Sequence, residues 1–221
     1  LSNYTLSSGT INKATVVQAG RTVVLSVSAL TPGATLTMKG LTDTVGLPLP
    51  ETPVPLKTAL FAVNFQPAAA ADQPGYLSDN GLVFADRGNG QSYGWAEDNS
   101  TETRDHDSTY APDDRYDTFD HVHRPSEANN WEIAVPNGRY LVHIVSGDDD
   151  NYNSVFILNV EGITVVNGTP TETDRWIDGV GVVTVSDGRL TVTNGPGFTG
   201  NKICFIELFE PPPLSEPPTL T

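Results

Sequence analysis

A single cysteine, Cys204, leaves the 221-residue chain no internal disulfide to staple it. It stands in the apolar run Ile203-Cys204-Phe205-Ile206, where a buried, inert thiol is expected. One Cys and four scattered His cannot build a zinc cluster. Basic residues are also scarce: 12 Lys and Arg face 27 Asp and Glu, a formal charge of −15. Such a surface repels nucleic-acid phosphates and anionic lipid head groups, so neither is an expected partner. No apolar run approaches the length of a membrane span, and no membrane insertion is expected. Neutral ligands and divalent cations stay open.

The chain is 38% hydrophobic, with 20 Gly and 17 Pro. That supplies a real core but too many breakers for a helical one. At this length it forms one large domain or a domain with an appendage. A chain that opens at Leu1, with no Met and no signal-like segment, reads as processed and exported, so an extracellular or cell-surface location is expected.

Alternating apolar and β-branched residues predict strands over Thr22–Ser28, Ala34–Met38, Leu60–Phe65, Trp131–Val135, Tyr140–Val145, Ser154–Val160, Ile163–Val166, Val182–Val185, Leu190–Val192 and Ile203–Phe209. Asn-Gly and Asp-Gly pairs punctuate them, as at Asn167-Gly168, Asp187-Gly188 and Asn194-Gly195. No convincing helix is visible. The pattern predicts an all-β fold, an antiparallel jelly-roll β-sandwich.

Four segments follow: a strand-rich N-terminal extension (1–44), a Pro-rich linker (45–58), the sandwich (59–210) and a Pro-rich tail (211–221). The extension is too short to bury a core unaided. Its strands either join the sandwich or pair with a neighbouring molecule, which makes a homo-oligomer or filament through residues 1–44 a second reading. Within the sandwich, residues 86–130 form a long polar stretch, a length that is usually functional or internally packed.

Over 59–209 the chain resembles malectin-like, galactose-binding-like modules of secreted bacterial proteins. The resemblance rests on Phe61-Ala62-Val63-Asn64-Phe65-Gln66-Pro67, Asp79, Asp86-Arg87-Gly88-Asn89-Gly90, Tyr93-Gly94-Trp95, Arg104-Asp105, Asp114-Arg115-Tyr116-Asp117-Thr118 and Trp131-Glu132-Ile133. It continues in Val145-Ser146-Gly147-Asp148, Asn159-Val160-Glu161-Gly162 and Asn201-Lys202-Ile203. It implies a jelly roll, usually non-catalytic, whose relatives bind carbohydrate through loops at one end and often carry a structural calcium.

Sugar rings present apolar C–H faces, so a binding site needs an aromatic platform with amide and carboxylate partners. Tyr76, Tyr93, Trp95 and Tyr110 are candidates for the platform, with Asp79, Asn99 and Asp105 for the hydroxyls of a neutral glycan or polysaccharide. The opposed reading has Trp95 and Tyr93 pinning the loop onto the sandwich. For calcium the densest acidic run is Asp148, Asp149 and Asp150, weighed against an ordinary solvated turn. His121-Val122-His123 sets two imidazoles on one side of an extended segment, a transition-metal option weighed against exposed loop histidines. No Gly-x-Ser-x-Gly nucleophile elbow is present, and with so many acids some carboxylate pair is always to hand. No enzyme activity is expected.

Overall fold

The computed structural model describes residues 1–17, 22–43 and 45–211. The chain divides into two compact units, Leu1–Thr58 and Ala59–Thr221. Beyond residue 211 the expected Pro-rich tail lies outside the described residues.

The first unit holds β1 (Tyr4–Leu6), β2 (Thr10–Val17), β3 (Thr22–Ser28), β4 (Thr35–Met38) and β5 (Val54–Pro55). β2 and β3 pair as an antiparallel two-stranded sheet. β1, β4 and β5 make a three-stranded sheet in that order. Residues 45–58, read from the sequence as a linker, are tied into this unit. Asp43 Oδ1 accepts the Val45 and Leu47 amides at 2.9 Å each, and Val54–Pro55 pairs with Leu36 and Thr35. A proline fits there because β5 is an edge strand, where its missing N–H breaks no ladder. Among the described hydrophobic residues of this unit only Ala34 is buried.

The second unit is the sandwich. Its strands are β6 (Phe61–Phe65), β7 (Leu77–Asp79), β8 (Ala85–Asp86), β9 (Ser92–Trp95), β10 (Thr103–Asp105), β11 (Thr118–His121), β12 (Trp131–Ala134), β13 (Gly138–Gly147), β14 (Phe156–Val160), β15 (Ile163–Gly168), β16 (Trp176–Val185), β17 (Arg189–Asn194), β18 (Lys202–Ile203) and β19 (Phe205–Phe209). One sheet runs β16-β13-β19-β6-β7 and the other β15-β14-β17-β12-β9-β8. The named strands pair antiparallel except β6 with β7, and Trp95 of β9 makes a further isolated parallel bridge with Val83. A small third sheet, β10-β11-β18, completes the unit.

Period-two alternation decides which residues face inward. Val142 and Ile144 of β13 and Ile206 and Leu208 of β19 meet Trp95, Trp131, Ile133, Leu158 and Val192 of the facing sheet. Each such side chain contributes about 1.5–3 kcal/mol on burial. Gly179 and Gly181 of β16 are needed where β15 crosses: a Cβ at Gly179 would stand 2.5 Å from the Val165 carbonyl oxygen.

The stretch 86–130 is not structureless. It carries β9, β10 and β11, and its remaining turns cover the outward face of the five-stranded sheet. There Tyr116, Phe119, Val145, Trp176, Cys204 and Phe205 form a second core. It also holds one helical turn, α1 (Asp114–Asp117), started by Asp113, whose side chain accepts the Arg115 amide. Four residues are too few to show a helical period in sequence.

Candidate functional site

Four of the seven residues expected to hold sugar lie inside the sandwich. Trp95 is fully buried, and its Nε1 donates to Asp79 Oδ1 at 2.9 Å. Trp131 Nε1 donates to the other oxygen, Asp79 Oδ2, at 2.8 Å, and the Gly81 amide adds a third bond. Burial raises the Asp79 carboxyl above its usual range, against the pull of these donors. The pair of indoles on one carboxylate is a bolt through the core, so Trp95 presents no face to a ligand. Tyr93 is buried too, its hydroxyl donating to Ser78 O at 3.0 Å. Asn99 is enclosed, donating to Asp120 Oδ1 at 2.8 Å and to His121 O at 2.9 Å. Alternation marks these positions as strand or loop but does not say which side of the sheet each ring takes.

Tyr76 is half-buried and lines a cavity of about 340 Å³ with Phe61, Leu77, Asn89 and Gln91. Its hydroxyl accepts from Arg115 Nη1 at 2.7 Å and donates to Glu207 Oε1. Glu207 also receives His143, which reaches Asp178 with its other nitrogen at 2.9 Å. Burial works against a charge on His143, but the hydrogen bonds it donates to Asp178 and Glu207 outweigh that and raise its pKa to about 9. This network holds the edge of the second core together.

Asp105 and Tyr110 do face outward, Tyr110 with 67% of its surface exposed. Three loops converge around Tyr110: 106–113, 148–155 and 169–175. The last two leave the sandwich at the same end, because Gly147 pairs with Trp176 and Phe156 with Gly168. The Arg175 guanidinium lies over the Tyr110 ring at 4.0 Å and over the Tyr152 ring at 5.6 Å. Arg175 is held from beneath: Nε donates to Glu172 O at 3.0 Å and Nη1 to Asp149 O. His106 Nδ1 meets the Asp149 carboxylate, and Asp150 stands exposed beside it. The result is a ledge of two exposed aromatic rings flanking a fixed cation, rimmed by carboxylates. Tyr152 and Arg175 carry no sequence signal for this; 23 positions separate them in the chain, and only the loop packing joins them.

The acidic run does not present three free carboxylates. Asp148 is buried and committed to Lys202 Nζ. The donor atoms that gather within 4.8 Å of one another are those of His106, Asp149 and Asp150, a set that includes an imidazole nitrogen. Calcium takes six to eight oxygens, so these residues do not fit a calcium shell. A second group, Asp105, Asp107 and Asp117, has both Asp117 oxygens accepting the Ser108 amide at 2.8 and 2.9 Å.

Against the 148–155 loop lies a cavity of about 220 Å³, lined by His121, His123, Arg124, Asn151, Asn153, Ser154, Thr199, Gly200 and Lys202. Burial lowers the His121 pKa to about 4 and lowers that of His123 as well, so both rings are neutral at pH 7. Both therefore stand as acceptors rather than as charges.

No family model matches this chain, and no curated protein matches it by sequence. Among solved structures, the protein YXIM of Bacillus subtilis is 20% identical, over 67% of this chain and 39% of that one, with a TM-score of 0.49. The complex of the plant peptide RALF23 with FER and LLG2 is 17% identical over 69% and 40%, TM-score 0.44. A family 35 carbohydrate binding module from Clostridium thermocellum is 15% identical over 38% and 72%, TM-score 0.28. The chain thus spans about two fifths of the first two structures.

Proposed function

We propose that the chain is a non-catalytic, extracellular module that binds a neutral glycan on the ledge of Tyr110, Arg175 and Tyr152. One observation carries this: two tyrosines, 67% and 39% exposed, stand at the loop end of an otherwise well-packed sandwich with a guanidinium fixed between them. Exposed rings so placed can stack against the C–H faces of a sugar. The exposed Asp150 carboxylate at the rim supplies acceptors for hydroxyls, and the half-buried His106, held by the buried Asp149, stands beside it. The net charge of −15 favours an uncharged saccharide over a uronic or sulfated one. The resemblance of residues 59–209 to malectin-like, galactose-binding-like sandwiches points the same way.

A panel of neutral oligosaccharides, followed by titration calorimetry on any that bind, tests the assignment. Tyr110→Ala with Tyr152→Ala should abolish binding and leave the melting temperature within about 1 °C, since exposed substitutions cost little. Unchanged affinity in the double variant removes the ledge from consideration.

A second reading concerns the first unit. Leu1, Val16, Val23, Leu30, Val45, Leu47, Leu49, Val54 and Leu56 are all exposed there. Strands that leave so much apolar surface open fit a subunit that assembles through its N-terminal strands. Light scattering of the full chain against a chain lacking 1–58 decides it. Equal, monomeric masses for both sink this reading.

A further inference from the structure

We infer that His121 and His123 form a binding site for a borderline first-row divalent ion, Zn²⁺, Ni²⁺ or Cu²⁺, in the 220 Å³ cavity they share. This does not rest on the glycan reading. β11 ends at His121, and Val122 and His123 form a turn in which the Arg124 amide donates to His121 O at 3.4 Å; Val122 is fully buried in the core while both imidazoles stay partly exposed beside each other. Each ring is oriented by a backbone carbonyl: His121 Nδ1 lies 2.8 Å from Glu102 O, and His123 Nδ1 lies 3.1 Å from Asn201 O. A carbonyl only accepts, so Nδ1 carries the hydrogen in both rings and Nε2 holds the free lone pair. Among the described residues neither Nε2 has a hydrogen-bond partner, and neither is sealed from solvent. An Nδ1–H tied to a carbonyl is how proteins fix the tautomer and aim of a ligating histidine.

The spacing suits one ion. The ring centres are 5.6 Å apart with planes at 74°. Two Nε2–metal bonds of about 2.0–2.1 Å at a tetrahedral angle place ring centres about 5 Å apart, a few tenths of an ångström from what is found. The rings are also held in place, His121 edge-on to Phe119 at 5.3 Å and His123 against Phe198 at 5.9 Å. The two cations lining the cavity are each paired with a carboxylate: Lys202 with Asp148, and Arg124 with Glu102 at 3.3 Å. Asn151 and Asn153 offer amide oxygens, and water completes the shell. Two imidazole nitrogens exclude calcium and magnesium as the preferred occupants.

Titration calorimetry with ZnCl₂ and with NiCl₂ on the full, metal-stripped chain tests the site, with CaCl₂ as the control. One equivalent of Zn²⁺ or Ni²⁺ should bind, CaCl₂ should not compete, and His121→Ala and His123→Ala should each weaken binding at least tenfold. His106→Ala should leave it unchanged. Long-range ¹H–¹⁵N spectra of the unmodified protein need no variant to fold: on adding Zn²⁺, the Nε2 signals of two histidines should move while their Nδ1 signals keep the hydrogen. Absence of binding in the unmodified protein overturns the inference. So does binding that survives both His121→Ala and His123→Ala, or that is lost in His106→Ala.

Discussion

In Ala59–Thr221 an apolar side chain on a strand finds an opposite sheet to face; in Leu1–Thr58, among the described residues, almost none does. Both units are strand-rich, and both use Val, Leu and Thr in alternation. β3 in the first unit (Thr-Val-Val-Leu-Ser-Val-Ser) is as regular a strand sequence as β17 in the second (Arg-Leu-Thr-Val-Thr-Asn). Yet Leu190 and Val192 of β17 are fully buried while Val23 of β3 is exposed. Strand propensity therefore reports the fit of a residue to a pleated surface, and a second layer decides whether that fit becomes stability.

Substitutions should separate the units accordingly. The largest effect belongs to Trp131→Ala, which empties the centre of the sandwich and strands one oxygen of Asp79. A loss of about 3–5 kcal/mol is expected in urea unfolding followed by tryptophan fluorescence. Asp79→Asn keeps the volume but turns an N–H₂ toward an indole N–H, and should cost about 1–3 kcal/mol. A cost near zero would mean that the carboxylate is not the bolt described above.

Two effects depend on pH. His143 has its pKa raised to about 9, so its contribution is complete below the ordinary value near 6.5 and fades as pH climbs through 9. His143→Gln should therefore destabilise most at pH 6 and progressively less toward pH 10 in thermal melts. Asp120 is also raised well above its ordinary range, chiefly by burial and then by Asp79, and its Oδ2 has no partner, like Oδ1 of neighbouring Asn99. For a carboxyl the stabilised form is the protonated one, so the native state is favoured in acid and loses that advantage as pH rises through the raised value. Asp120→Asn removes the titrating carboxyl and should raise the melting temperature at pH 7, with the gain shrinking toward pH 3. The smallest effect is reserved for the first unit: Val16→Ser and Val23→Ser should each change stability by under about 0.5 kcal/mol. A larger loss would show that these residues face a partner.

The all-β class and most sandwich strands are legible from period-two alternation, because one face of each strand is buried. β16 is legible only over Val182–Val185, since Gly179 and Gly181 interrupt the pattern; the close crossing of β15 that requires them is a tertiary fact. β9 is hidden for a similar reason, its Tyr-Gly-Trp lying in a Gly- and Asn-rich stretch. Of the candidate site, Tyr110 and the His121–His123 pair can be read from sequence. The placement of Trp95 cannot, because a tryptophan near polar residues looks the same whether its indole meets a sugar or a buried carboxylate. Tyr152 and Arg175 become partners only once loops distant in sequence meet.

The lone Cys204 offers a clock. Its thiol is buried in the second core, 3.6 Å from the Gly147 carbonyl oxygen, and burial pushes its pKa up. A thiol so held reacts with an alkylating reagent only when the polypeptide covering the outward face of the five-stranded sheet lifts away. Since no other cysteine competes, the labelling rate of the intact protein reports whichever opening uncovers this one site soonest, the lifting of that cover or global unfolding.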